Sequence, residues 1–367
     1  MVSILLLSFC FSALATFVVV ASSHRHQKWS SDHDLSGPQK MHGDAVPRVG
    51  GLGIAAGVLA GAGLLVGEDQ GRWATVALLM LCAAPTLLLG LVEDFTKAVR
   101  PRWRLLAPAL SGWLGAMLLK IVIVRTGWGW FDVSFALPGV GVALTMFTCA
   151  GVVNSFNIID GMNGLASMCA ALMVGTIGYI ALRVGDALVG GLALAAFGAA
   201  LGFFVWNYPR GRIFLGDGGA YLLGLVAAEL GVMLLCRNPA VSPLAPLLIV
   251  AYPVVETVFS MYRRRVIRGR AVSASDAIHL HTLIYRRLMR WAPPADDRLP
   301  LAHGNSMTSP FLWLLTLASV VPAVFWWDDT RVMALSIVLF TVLYLHLYWR
   351  IVRFRTPVWM VWLARRP

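Results

Sequence analysis

The sequence predicts an all-α, polytopic membrane protein of about eleven transmembrane helices, and three observations lead there. Hydrophobic residues fill 58% of the 367 positions and charged residues only 13%, with a mean hydropathy of +0.74. That is too little charge to cover a soluble domain of this length. The apolar residues fall into runs of about 17 to 21, long enough for a helix to cross a bilayer core. Finally, the basic residues gather in alternate connections between those runs.

In order, the runs are 1–21, 50–66, 73–92, 105–124, 135–153, 165–182, 187–206, 220–236, 244–262, 310–327 and 332–349. No Lys or Arg precedes the first, whereas a cleavable signal peptide wants a basic start, so it is expected to remain as a helix. One set of connections carries 24 of the 30 Lys and Arg and the other set six. By the positive-inside rule the N-terminus is periplasmic and the C-terminus cytoplasmic. The whole reads as one integral membrane domain, 1–350, with a long cytoplasmic loop at 263–309 and a basic cytoplasmic tail at 351–367. Trp128, Trp130, Trp326, Trp327, Trp349, Trp359 and Trp362 lie near predicted span ends, as interfacial anchors do. Five cysteines lie singly in apolar runs and form no disulfide framework. The net charge of +12 follows membrane sidedness, so lipid and not nucleic acid is the expected partner surface.

Polar chemistry concentrates in the predicted cytoplasmic connections. The densest stretch is NSFNIIDGMNGLA, where Asn154, Asn157, Asp160 and Asn163 recur at every third residue. On a helix that spacing makes one drifting stripe able to address a single ligand, while Gly161 and Gly164 leave room for close approach. Upstream, AVPRVGG sets Arg48 beside a helix start, which taken alone reads first as a positive-inside anchor. GLVEDFTK places Glu93 and Asp94 at a helix C-terminus, where the dipole disfavours them. Compensation would come from Lys97, Arg100, Arg102 and Arg104, or from a bound Mg²⁺. FLGDGGAYLLG presents Asp217 among glycines at the entrance of a span, suited either to a metal or phosphate or to a helix N-cap. Glu256 sits inside the ninth run, where an ionisable group needs a partner, an arginine or a ligand. His279 and His281 share a face on a strand but not on a helix, and a short loop could bring both to one ligand. Zinc is the second thought for that pair, without further ligands at zinc spacing.

Acids that can hold Mg²⁺, cations that can hold phosphates and an opening toward lipid suit phosphoryl transfer onto a lipid phosphate. PRVGG, EDFTK, NSFNIIDGMNGLA, FLGDGGAYLLG and the HLH loop, in this order, resemble the polyprenyl-phosphate N-acetylhexosamine-1-phosphate transferases. The resemblance implies transfer of an amino sugar 1-phosphate from a UDP-sugar to undecaprenyl phosphate, with release of UMP, at the bacterial inner membrane. It implies Mg²⁺ as cofactor, with Mn²⁺ as the alternative ion. Asp217 matches the metal-binding aspartate, and Glu93 and Asp94 match paired acids that act on the lipid phosphate or assist the metal. Lys97 matches a lysine near the nucleotide. Asn157, Asp160 and Asn163 match the nucleotide-sugar segment, with Asn154 and Arg48 beside it, and His279 with His281 matches a histidine loop near the phosphates. A homodimer is an open expectation.

Three positions depart from the family's pattern. Glu93 stands where an aspartate is usual, Asn163 replaces the second aspartate of DGxDG, and Thr282 replaces a third histidine. A transporter or flippase is the competing class, but it would carry polar groups near the bilayer midplane in repeated halves. A lipid-binding scaffold with a degenerate site is the third reading.

Overall fold

A computed structural model describes residues 1–30, 46–269 apart from 136 and 138, 278–288 and 300–353. The basic tail beyond 353, with Trp359 and Trp362, lies outside the described residues, as do Lys40 and parts of the 263–309 loop. Every regular element among the described residues is a helix: α1 (Val2–Ala21), α2 (Ser23–Ser30), α3 (Gly50–Glu68), α4 (Trp73–Thr96), α5 (Pro101–Leu119), α6 (Gly129–Phe135), α7 (Val140–Ile159), α8 (Leu165–Arg183), α9 (Ala187–Asn207), α10 (Gly216–Arg237), α11 (Ala245–Ile249), α12 (Ala251–Tyr262), α13 (Leu280–Leu288), α14 (Pro300–Trp326) and α15 (Thr330–Val352). A 3₁₀ turn at Gln70–Arg72 precedes α4 and a π-helical turn at Arg263–Ile267 extends α12.

Nine of the described helices are long and apolar enough to cross a membrane, so the chain is a multi-pass membrane protein. Two predicted spans differ from expectation. The fourth is α5, which begins four residues before 105, so that Arg102 and Arg104 dilute its first turn. It ends at Leu119, where Lys120 takes a left-handed φ of 58°. The ninth is broken at Val250 into α11 and α12. Pro253 has no N–H for the carbonyl of Ile249, which stops the first piece there. Both still traverse the bundle. After α5, Arg125 binds the carbonyls of Leu235, Asn238, Pro239 and Val241 around the end of α10. α12 finishes at the opposite end, where Arg263 donates to the Tyr348 hydroxyl at 2.7 Å.

Helix α10 is the most buried of the nine and packs against α3, α4, α7, α8 and α9. Between its polar first turn and Arg237 it is apolar on all sides but for the buried Glu229, as suits a helix surrounded by others. α1 and α15 present largely exposed apolar flanks. In lipid those flanks need no further cover, because acyl chains are as apolar as they are.

Candidate active site

The polar motifs converge at one end of the bundle, around the first turn of α10. The segment before α3 runs alongside the segment before α10. Phe214 N–H donates to Pro47 O at 2.8 Å, Gly50 N–H to Phe214 O at 3.1 Å and Gly51 N–H to Leu215 O at 3.2 Å. This pairing sets Arg48 beside Asp217. A Cβ on Gly51 would stand 2.5 Å from Gly219 N, and one on Gly90 would stand 2.6 Å from Gly218 Cα. Three helices therefore meet at backbone contact, which only small residues permit.

Asp217 and Asp94 divide the work at this junction. Both oxygens of the buried Asp94 accept backbone N–H groups from α10, Asp217 N–H at 2.7 Å and Gly218 N–H at 2.9 Å. Asp94 is thus the N-cap of α10, supplied from α4. Asp217, relieved of that duty, meets Arg48 Nη2 at 3.5 Å and Tyr221 OH at 3.3 Å among the described residues. Those are long bonds, and they leave its oxygens coordinating capacity. Asp160 lies within electrostatic reach of both Arg48 and Asp217. Desolvation pushes its carboxyl up to about 7, against the pull of Arg48 and with that of Asp217.

Glu93 faces elsewhere. One oxygen accepts Val99 N–H at 2.8 Å and the other pairs with Arg104, so the longer side chain closes the α4–α5 turn. Lys97 ends α4 in the left-handed region, φ 54°, with its side chain exposed at the rim. Glu93→Gln is expected to cost less than about tenfold in turnover and to show mainly as a lower melting midpoint. The pair it weakens is worth about 1.5–3 kcal/mol. Turnover and thermal melting in detergent check this, and a loss as deep as that of Asp217→Asn would place Glu93 in the chemistry.

The four-residue stripe does not form. α7 runs six residues past its predicted end but stops at Ile159, and Asp160–Gly164 is a turn, so only Asn154 and Asn157 lie on the helix. Asn154 spends its amide on Arg104 O at 3.2 Å and Ala150 O at 2.8 Å. Asn157 is half-buried, and its side chain hydrogen-bonds no described residue. Asn163 locks the turn: its backbone N–H donates to Asn305 Oδ1 at 2.6 Å, its carbonyl accepts from Ser309 at 2.6 Å, and its amide donates to Pro209 O at 3.1 Å. A carboxylate there would have no hydrogen to offer Pro209, which gives a physical reason for asparagine in this chain.

The histidine loop closes over that turn. His279 precedes α13 and His281 sits in its first turn, and their rings stack at 5.5 Å and 7°. A Cβ on Gly161 would stand 2.5 Å from His281 Nε2, so the loop rests on the residue after Asp160. Burial and the neighbouring His279 push the His281 imidazole down to about 4, with Glu256 pulling the other way. It is therefore neutral near pH 7, and its Nδ1 is buried without a hydrogen-bond partner among the described residues. Glu256 is not partnered by an arginine among the described bonds but by His279 Nδ1 at 3.0 Å, Tyr344 OH at 2.8 Å and Leu280 N–H at 3.2 Å. Thr282, at the third position of the loop, is buried.

Arg48, Asp94, Asp160 and Asp217 thus gather around the start of α10 and the histidine pair lies against the turn that follows Asp160, whereas Glu93, Asn154 and Asn163 are engaged in holding the scaffold. The sequence reading missed Tyr221, Asn207 and Tyr344. Tyr221 was within reach, being one helical turn after Asp217. Asn207 Oδ1 accepts Gly164 N–H at 2.5 Å from 43 residues away, and no local pattern announces it. Among the described residues no group of three or more His, Cys, Asp or Glu forms a ready metal cage. Mg²⁺ does not require one, because it commonly takes one or two carboxylates and completes its shell with water and substrate phosphates. Asp217 fits that mode, with Asp94 behind it as support.

A membrane-spanning bundle with acids and cations gathered at one end defines an integral membrane protein with a one-sided, polar ligand site. Residues 76–235 match glycosyl transferase family 4. A probable undecaprenyl-phosphate N-acetylglucosaminyl 1-phosphate transferase of Bacillus subtilis is 30% identical over 258 residues, 68% of each chain. A decaprenyl-phosphate N-acetylglucosaminephosphotransferase of Mycolicibacterium smegmatis is 26% identical over 336 residues, 81% of this chain and 77% of the relative. A phospho-N-acetylmuramoyl-pentapeptide-transferase of a Synechococcus is 32% identical over 221 residues, 57% of this chain and 62% of the relative. The chain belongs to glycosyl transferase family 4, the family its five motifs resemble, and is a membrane phosphotransferase.

Proposed function

We propose that this enzyme transfers an N-acetylamino sugar 1-phosphate from a UDP-sugar to undecaprenyl phosphate at the cytoplasmic face of the bacterial inner membrane, initiating a cell-surface polysaccharide. An oxygen of the lipid phosphate attacks the sugar-bearing phosphorus. The bond from that phosphorus to the UMP oxygen breaks, giving undecaprenyl-diphosphate-sugar and UMP. The observation that carries this reading is Asp217, held at the start of α10 by a cap that Asp94 supplies, with Arg48 and Asp160 beside it and the histidine pair against the turn that follows Asp160.

Positioning and charge neutralisation are what such a reaction needs. In this reading Arg48 meets phosphate oxygens, since the first N–H groups of α10 are already taken by Asp94. Asp217 would hold the metal ion, Mg²⁺ or alternatively Mn²⁺. When bound, such an ion neutralises charge that builds on the phosphates. A protein base is not essential. The second pKa of a phosphate monoester is about 6, so most of the lipid phosphate is already dianionic at neutral pH. UDP-N-acetylglucosamine is the first donor to try, in view of the Bacillus and Mycolicibacterium relatives' names. The loop here reads HLHT and not three consecutive histidines, which argues against the muramoyl-pentapeptide donor.

The test is UMP release by membranes containing this protein, with and without undecaprenyl phosphate and Mg²⁺. Release is expected to require both and to stop on addition of a chelator, returning with excess Mg²⁺. Release that persists in a chelator removes the metal from the reading. Silence across a panel of UDP-amino sugars favours a lipid-binding scaffold or a transporter.

A further inference from the structure

Glu256 has no evident task in the chemistry just described, yet it is the most thoroughly buried acid near the site. Its side chain is 0% exposed. Burying an ion costs several kcal/mol even after relaxation, and a cap for the short helix α13 needs no ion, since Ser, Thr or Asn would serve. The surroundings show where the carboxylate is directed. Oε2 accepts the Tyr344 hydroxyl at 2.8 Å and Leu280 N–H at 3.2 Å, which fix the group from α15 and from the start of α13. Oε1 meets His279 Nδ1 at 3.0 Å and takes the longer, 3.4 Å arm of the Leu280 N–H, so His279 is its shorter contact. Arg263, the residue after Tyr262, is directed elsewhere, donating to Tyr348 OH and lying over the Phe259 and Tyr348 rings at 5.5 and 5.2 Å.

We infer that Glu256 is a positioning residue that fixes the ring orientation and the Nδ1–H tautomer of His279, so that Nε2 is the edge presented to the substrate phosphates. A carboxylate only accepts, so the nitrogen facing it carries the hydrogen. His281 then sets the plane of the ring by stacking on it, and Gly161 supports His281 from below. The arrangement gives the two histidines different roles. His279, backed by a carboxylate, can take a proton and meet the charge of the departing UMP phosphate, while His281 stays neutral as a spacer. The phosphate-facing half of this inference rests on the proposed function, but the tautomer does not.

The experiment pairs kinetics with spectroscopy on the full chain in detergent. Glu256→Gln keeps the shape and an acceptor for Leu280 N–H, and is expected to melt close to the wild type. It should lower kcat and kcat/KM together by about 10- to 100-fold, the usual effect of losing such a partner. In the His279→Gln background the same change should cost less than about twofold, because the group it positions is already gone. Fully additive losses, or a Glu256→Gln protein as active as wild type, overturn the inference. Should Glu256→Gln fold poorly, Tyr344→Phe retains the carboxylate and removes one of its holders; its smaller loss must likewise vanish in the His279→Gln background. If the wild type releases no UMP from any donor, the proposed function falls, and the inference is still decided by a long-range ¹H–¹⁵N spectrum of histidine-labelled protein recorded above the ordinary histidine range. The ring signal missing in His279→Gln must show Nδ1–H in the wild type. An Nε2–H tautomer refutes the role assigned to Glu256.

Discussion

Asp217→Asn is expected to reduce UMP release by at least about 10³-fold while the protein still folds and extracts normally. The separation of these two effects follows from the geometry. The backbone N–H groups at the start of α10 are capped by Asp94, not by Asp217 itself, so the substitution leaves the cap intact. An asparagine keeps an oxygen for the Tyr221 hydroxyl, whose bond at 3.3 Å is weak in any case. What disappears is the charge, next to Arg48 and facing the place where phosphates are proposed to bind. Asp94→Asn should behave differently, losing activity and melting midpoint together, because an amide nitrogen cannot accept the second N–H. Paired assays of turnover and thermal melting separate the two. A stable Asp217→Asn protein keeping more than a tenth of wild-type turnover would remove Asp217 from the centre of the site.

Much of this site is legible in the sequence because its parts are short local motifs at the ends of apolar runs. Hydropathy marks the runs, the basic residues mark one side, and acids or glycines at those ends are costly enough in a membrane to be conspicuous. The reading fails where a residue's partner is distant in the chain. A period of three from Asn154 to Asn163 fits a helical stripe, but Asn207 and Asn305 draw the backbone of residues 163 and 164 into a turn, from 43 and 142 positions away. Glu93 is the intermediate case: Arg104, one of the nearby cations expected to compensate it, does so, but that Val99 N–H would join in and turn the side chain to closing the α4–α5 turn was not legible. Glu256 lies near arginines in sequence and finds a histidine 23 residues on and a tyrosine 88 residues on. In each case the residue type was conspicuous and its direction was set by tertiary contacts.

The same logic makes the glycines of α3 a sharp test, because Gly51 and Gly63 share a helix and differ in what surrounds them. Gly51→Ala is expected to lower the melting midpoint markedly and to abolish most of the turnover. The added methyl would stand 2.5 Å from Gly219 N and 2.7 Å from Gly218 C, both backbone atoms of a helix packed on every side. No rotamer change relieves that clash, so α3 and α10 must separate, and overpacking of this kind costs about 1–3 kcal/mol. The displacement falls on the turn that carries Asp217, so activity should drop by more than stability alone explains. Gly63→Ala meets nothing within 4 Å. By helix propensity alone it should be neutral or gain up to about 1 kcal/mol. Equal effects at the two positions would mean that α3 tolerates or resists alanine for reasons internal to itself. A loss at Gly51 and not at Gly63, with Gly90→Ala sharing it through its own 2.6 Å approach to Gly218 Cα, would establish that the Asp217 end of α10 is held by backbone contact with two neighbours. Asp217 then owes its position to two glycine-lined crossings as much as to the acid that caps its helix.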